Sequence, residues 1–259
     1  RSVTPLAAAL GRRRGSASNT AQKASAMSSS NLPNVCIIGA GPSGIATAKR
    51  LKEHGIPYDC FEASDEIGGV WYYGNPNGMS ACYQSLHIDT SKWRLAFEDY
   101  PVPADWPDFP HHSQLFAYLK DYVAHFGLRD SITFNTTVVS AERREDGLWM
   151  VTLSDGDVRF YDVLAVCNGH HWDPRTPDYP GSFDGTLIHS HQYKDPFDPV
   201  DMRGKKVVVV GMGNSALDIA SELSQRFLAE RLTVSARRGV WVLPKYLRGK
   251  AGDKEVAPA

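Results

Sequence analysis

One local pattern occurs twice in this chain and restricts its fold more than anything else in it: a short apolar run, a Gly-x-Gly-x-x-Gly/Ala turn, an amphipathic helix and a second apolar run. The first copy is NVCIIGAGPSGIATAKRLKEHGIPYDCFEAS. Val35 to Ile38 read as a buried strand. Gly39, Ala40, Gly41, Pro42, Ser43 and Gly44 form the turn, and the helix after it places Gly44, Ala48 and Leu51 on one face, with Gly55 as its stop. PYDCFE is the second strand, ending in Glu62. In such a unit the first glycine permits a tight turn, the second admits a pyrophosphate to the backbone, and the third lets helix and strand pack closely. The helix N-terminus offers unpaired N–H groups to phosphate, and an acid about twenty residues on accepts from a ribose hydroxyl. The pattern therefore predicts a dinucleotide site.

The second copy is KKVVVVGMGNSALDIASELSQRFLAERLTVSARRG. Val207 to Val210 form the strand, and Gly211, Gly213 and Ala216 hold the three small positions, with Asn214 and Ser215 between them. Ala216, Leu217, Ala220 and Leu223 mark the expected buried face. The next strand, LTVSA, ends in Arg237 and Arg238 rather than an acid. A carboxylate repels a 2′-phosphate, whereas arginine pairs with it in a two-point grip. The first site thus suits FAD and the second NADPH, unless the arginine pair is a solvated loop. Two such sites in one chain suggest a flavin reduced by a nicotinamide, and one site alone a simple dehydrogenase.

Between the copies, IGGVWYYGNPNG places Gly68 and Gly69 for close backbone approach, followed by Val70 and Trp71. Trp71 is positioned either to pack on a flavin or to fill the core. HSQLFAYLKDYVAHFG reads as a core helix, with Leu115, Leu119, Tyr122 and Phe126 in its stripe and Gly127 at its end. The stretch from Ser131 to Gly169 alternates through EDG and SDG turns and returns in YDVLAVCNG to a buried strand. PVPADWPDFPHH is too proline-rich for helix or sheet and reads as a surface or linker loop. The fold expected is α/β: two Rossmann-like units of parallel sheet flanked by helices, with a small antiparallel β layer. The expected boundaries are a leader at 1–30, an FAD domain at 31–170, a linker at 171–204 and an incomplete NADPH domain at 205–259.

Composition excludes several classes. A formal net charge of −1 over 259 residues argues against nucleic acid or an anionic membrane as partner. No C-x-x-C exists among the four cysteines, so neither a redox dithiol nor a zinc knuckle is expected, and the thiols read as buried and reduced. No run of about eighteen apolar residues occurs. Residues 1–26 hold five basic and no acidic residues, and without them the net charge falls to −6. That leader has the composition of a disordered segment. It resembles an organelle transit peptide or is upstream translated sequence before Met27; the second reading leaves a cytoplasmic protein.

FDGTLIHSHQY carries two histidines one residue apart, His189 and His191. A metal site would need His170, His171 or Asp173 to converge on them; a hydrogen-bonded turn between domains needs nothing more. A third reading comes from resemblance. Phe183-x-Gly185-x-x-x-His189-x-x-x-Tyr193 matches the F-x-G-x-x-x-H-x-x-x-(Y/F) fingerprint of the flavin-containing monooxygenases. GAGPSG, GGVW, Ser91–Lys92, DYPVP, CNGHH, GMGNSALDIA and RRGVWVLP resemble that family's landmarks in order, over about residues 33–248. The related Baeyer–Villiger family has Trp where Tyr193 stands.

The resemblance implies a two-stage reaction with FAD and NADPH. The nicotinamide reduces the flavin, oxygen adds at the flavin C4a carbon, and a nitrogen or sulfur of a small nucleophile takes the distal oxygen. No side-chain nucleophile is needed. His189 is then a clasp between domains, and a homodimer is compatible with the family. In YQSLHIDTSKWRLAF, Asp89 replaces the family's asparagine beside flavin and nicotinamide, next to Thr90. A carboxylate cannot donate the hydrogen bond an amide can. This substitution implies a shorter-lived oxygen adduct and leakage to peroxide, unless Asp89 stays protonated in a desolvated site. Family members continue well beyond residue 259, so the chain is expected to be an amino-terminal fragment, whose alternatives are an uncoupled NADPH oxidase-like flavoprotein and a non-catalytic dinucleotide-binding protein.

The arginine pair yields the first test. In steady-state flavin reduction we expect a much lower KM for NADPH than for NADH. Equal values would return Arg237 and Arg238 to the role of a solvated loop.

Overall fold

The alternation along the first apolar run decides how the first unit is layered. In a computed structural model, which describes residues 32–225 and 228–255, the run is strand β1 (Val35–Ile38). Val35 and Ile37 face one core and Cys36 the other, as a period of two requires. The expected leader lies outside the described residues. The chain continues through helix α1 (Pro42–Glu53), β2 (Tyr58–Phe61), α2 (Lys92–Leu95), α3 (His112–His125) and β3 (Ile132–Thr133). It then forms β4 (Val138–Arg143), β5 (Trp149–Leu153), β6 (Val158–Tyr161) and β7 (Val163–Val166).

The parallel sheet has the order β3-β2-β1-β7. Val35 pairs with Tyr58 on one side and Val163 on the other. Helices α1 and α3 cover one face through Ile45, Ala48, Leu115, Leu119 and Tyr122. The antiparallel layer β4-β5-β6 covers the other, where Val151, Leu153 and Tyr161 meet Cys36 and Phe61. Burial pushes the Cys36 thiol up to about 12, so it stays a small apolar filler. All four cysteines are free, and only Cys167 is part-exposed.

The second unit is a two-stranded parallel sheet, β8 (Lys206–Val210) with β9 (Arg231–Ser235), joined by α4 (Asn214–Leu223). Its buried helix face is Ile219, Ala220 and Leu223; Ala216 and Leu217, expected there, are only half-buried. Position 219 lies three residues after 216 and four before 223, so it falls in the same stripe, while 217 sits off to the side. Val207 and Val209 face α4, and Val208 and Val210 lie on the open face.

Two further expectations change. The proline-rich stretch is irregular, yet Val102, Trp106 and Phe109 pack into the first core, so it is not a linker. Residues 245–253, expected to extend the second unit, lie against the first. Ala251 is buried in the first core, Lys245 donates to the Ile88 carbonyl, and Ser91 N–H donates to Asp253.

His112 opens α3 at 5% exposure, and its Nδ1 has no hydrogen-bond partner among the described residues. Burial, and then neighbouring His111, pull its pKa from 6.5 to about 4. The unfolded chain takes up that proton near pH 6.5 and the folded chain only near 4, so stability is lost as pH falls through that window. The loss should reach on the order of 2–3 kcal/mol. Urea midpoints measured from pH 7 to 4 should therefore fall in the parent and fall less in His112→Gln. Equal slopes would remove His112 as the cause.

Candidate functional site

The first site is built where β1 meets α1. Gly39 turns the chain at φ +96°, and its N–H still donates to the Phe61 carbonyl across the sheet. A side chain at Gly44 would put its Cβ 1.8 Å from the Gly39 carbonyl oxygen. The helix can start this close to the strand end only with glycine there. Gly41 is the N-cap and Pro42 the first helical residue; no side chain caps the end, and its first turn holds no acid. The positive end of α1 is therefore open to an anion.

A second glycine loop faces the first. Gly68 and Gly69 have φ +111° and +57°, and a Cβ on Gly69 would lie 3.3 Å from the Gly41 Cα. The two backbones thus approach each other over the mouth of a cavity of about 350 Å³. Its wall includes Gly39, Gly41, Pro42, Ser43, Glu62, Gly69, Val70 and Trp71. Ala40 and Gly44 stand behind the lining: Ala40 is wholly buried, and its N–H donates to Glu62 Oε2 at 2.6 Å. The other Glu62 oxygen accepts from Ser64 N–H at 2.9 Å, so the carboxylate is fixed at the end of β2. Thr90 and Asp89 do not line this cavity.

Sequence reasoning missed the opposite wall, made by Thr136, Thr137 and Val138 and by Cys167 to His170 and Trp172. These follow β3 and β7, on either side of the first glycine loop's sheet. A ligand crevice outside the carboxyl ends of parallel strands, at the point where strand order reverses, is a general rule that pointed to the residues after β7.

The second site repeats the first with fewer walls. Gly211 has φ +125°, Gly213 is the N-cap of α4, and that first turn also lacks an acid and a side-chain cap. Ala216 is tolerated because its Cβ lies 4.0 Å from a Cβ built on Gly211. Gly213, Asn214 and Ser215 are exposed, as are Arg237 and Arg238 beyond β9. Trp241 follows them, 96% exposed. Asp89 reaches this site rather than the cavity: its Oδ2 accepts from Asn214 Nδ2 at 2.6 Å.

The fingerprint ties the two units together. Phe183 is 72% exposed, and its ring lies over Gly185, where a Cβ would come within 2.5 Å of it. His189 Nδ1 accepts from His191 N–H at 3.1 Å, and Gln192 closes the same turn from both sides of the His189 backbone. His191 Nε2 donates to the Met79 carbonyl. Lys194, its pKa lowered by burial, donates to the carbonyls of Ser80, His191 and Cys82. Tyr193 is buried and donates to Glu222 on α4 at 2.8 Å. The two histidines sit in a hydrogen-bonded turn. Among the described residues, no group of three or more His, Cys, Asp and Glu is arranged to hold a metal. None of the described helices is long and apolar enough to cross a membrane.

Comparison with known proteins gives one consistent result. A family model described as flavin-binding monooxygenase-like matches residues 33–252. The chain is 42% identical over 231 residues to flavin-containing monooxygenase 5 of Rattus norvegicus, covering 84% of this chain and 42% of that protein. It is 41% identical over 224 residues to dimethylaniline monooxygenase [N-oxide-forming] 2 of the same species, covering 82% and 41%. Among solved structures, the S-allyl-L-cysteine S-oxygenase of Allium sativum superposes with a TM-score of 0.71 at 29% identity, over 84% of this chain and 54% of that one. The chain thus spans less than half the length of the curated relatives it matches.

The clearance at Gly44 sets the second test. Gly44→Ala should cost about 3 kcal/mol or more, because the new methyl meets backbone that cannot yield. Gly213→Ala, with open space around it, should cost less than about 1 kcal/mol. Thermal melts of both variants check this; equal losses would mean that α1 moves away freely.

Proposed function

The chain belongs to the flavin-binding monooxygenase-like family, and on that premise we propose that it carries the FAD site and the first part of the NADPH site of a monooxygenase. The substrate class proposed is a small molecule with a nucleophilic nitrogen or sulfur, oxygenated with molecular oxygen. The observation that carries the proposal is the cavity at the carboxyl ends of β1 and β7, with an uncapped helix end on one side and a fixed buried carboxylate on the other.

In this reading the redox chemistry comes from the flavin and the nicotinamide, and the protein supplies orientation and a site shielded from water. Gly41 and Ser43 offer backbone N–H groups to the FAD pyrophosphate at the open end of α1, while Gly39 makes the turn, Pro42 lines the wall as the first helical residue and Gly44 lets the helix start this close to the strand. Glu62, already holding two N–H donors, has lone pairs left for a ribose hydroxyl. Gly69 and Val70 bring backbone to the ligand, and Trp71 offers an apolar wall. Gly211, Gly213, Asn214, Ser215 and Ala216 serve the NADPH pyrophosphate, with Arg237 and Arg238 for the 2′-phosphate. The FAD domain ends near residue 170, and the linker carries the fingerprint as a clasp.

The alternative reading, an oxidase-like flavoprotein releasing hydrogen peroxide, is not favoured: Asp89, on which it rests, accepts from Asn214 at the second site and does not line the first cavity.

The visible absorbance of the purified chain, before and after anaerobic NADPH, tests the proposal. A yellow flavin that bleaches is the expected result. A colourless protein to which added FAD does not bind would overturn it for this chain.

A further inference from the structure

Helix α4 presents a polar face with a one-turn period, and each rung of it is bonded to a residue outside the second unit. Asn214 donates to Asp89 at 2.6 Å. Asp218 accepts from the Tyr83 hydroxyl at 2.5 Å. Glu222 accepts from the Tyr193 hydroxyl at 2.8 Å and from Ser85 at 3.0 Å. Positions 214, 218 and 222 are successive i, i+4 neighbours and fall on one stripe of the helix. Three of the four partners belong to the segment 83–89 of the first unit, and the fourth ends the fingerprint.

From this geometry we infer that Tyr83 and Tyr193 are positioning residues, whose hydroxyls lock α4, and with it the second dinucleotide site, in a fixed register against the first unit. The inference rests on the proposed function for what that register serves. Both phenols are buried, their rings meet edge to face at 6.3 Å in the core they share with Ile219 and Leu223, and their hydroxyls bond to the carboxylates on the polar stripe of α4. The rings alone would fill the same space as phenylalanine; the hydroxyls add direction, and bonds to carboxylates are the strong kind. No ion pair to Asp218 or Glu222 occurs among the described residues, so the tyrosines and Ser85 are their donors here. Burial, and then the facing carboxylate, raise both phenol pKa values far above the ordinary range, which keeps the donors protonated.

This assigns the last fingerprint position a task distinct from binding. Dinucleotide affinity resides in the glycine turn and the arginines of the second unit. Transfer between two bound cofactors depends on how the units face each other, and small misplacements cost rate steeply. Loosening the seam should therefore lower the rate of flavin reduction without weakening nucleotide binding.

The test uses the 259-residue chain loaded with FAD, as parent, Tyr83→Phe, Tyr193→Phe and the double variant. Amide hydrogen exchange across 214–223 is read beside anaerobic flavin reduction at varied NADPH. In the double variant α4 should exchange roughly tenfold faster, while β1 and β2 are unchanged. The limiting reduction rate should fall about tenfold, with the NADPH dissociation constant within about twofold of the parent. Asp218→Asn keeps an acceptor and should behave as the parent; Asp218→Ala should behave as Tyr83→Phe. Unchanged α4 exchange overturns the inference, and so does a weaker dissociation constant with an unchanged limiting rate. If NADPH does not reduce the parent, the functional reading fails and exchange alone judges the seam.

Discussion

The approach of α1 to the end of β1 is the constraint on which the first unit depends. With no side chain at Gly44, the helix begins against the Gly39 carbonyl, and its open end points into the crevice between β1 and β7. Two further features need that closeness. The Ala40 N–H can reach Glu62 only because the turn stays tight, and the loop at Gly68–Gly69 can face Gly41 only because nothing projects from either backbone. Ala216 at the matching place in the second unit shows the looser version of the same turn, where a methyl fits.

The second unit does not build its own core. Val207, Val209, Ile219 and Leu223 are closed off by Tyr83 and Leu86 from the first unit and by Ile188, Tyr193, Val200 and Met202 from the segment that precedes β8. The segment 83–87 is in turn held on the first unit: His111 Nε2 donates to the Gln84 carbonyl, while its Nδ1 accepts from Ser113 N–H and caps α3. One short strap therefore has α3 on one side and α4 on the other. A two-stranded sheet with a single helix is too small to bury a sufficient apolar area alone, and this shared core is how it holds its shape.

What could be read from the sequence follows from the range of the physics involved. Strands β1, β2 and β8, helices α1, α3 and α4, and the glycine turns all have local causes: period, cap, small residue at a fixed offset. The wall at Thr136–Val138 has none, since it depends on β3 extending the sheet beside β2. The proline-rich stretch was legible as irregular, but its three apolar side chains gave no periodic sign that they enter the core. Nothing in the sequence marks the polar stripe of α4 as a seam, because Asn214, Asp218 and Glu222 each find a partner more than a hundred residues away. Asp89 shows the limit most clearly. Its identity was plain, and only the fold places it at the mouth of the second unit instead of the cavity at the first glycine turn.

The fingerprint that carried the resemblance is thus a specification of a joint. Gly185 lets the Phe183 ring fold back, His189 closes a turn, Lys194 gathers three carbonyls of the first unit and its own turn, and Tyr193 grips α4. None of these contacts touches the cavity that the glycine turns build. A motif of this kind is constrained by the way the two strand–turn–helix units meet, and it can therefore identify the family from a few residues while having no bearing on the walls of the cavity itself.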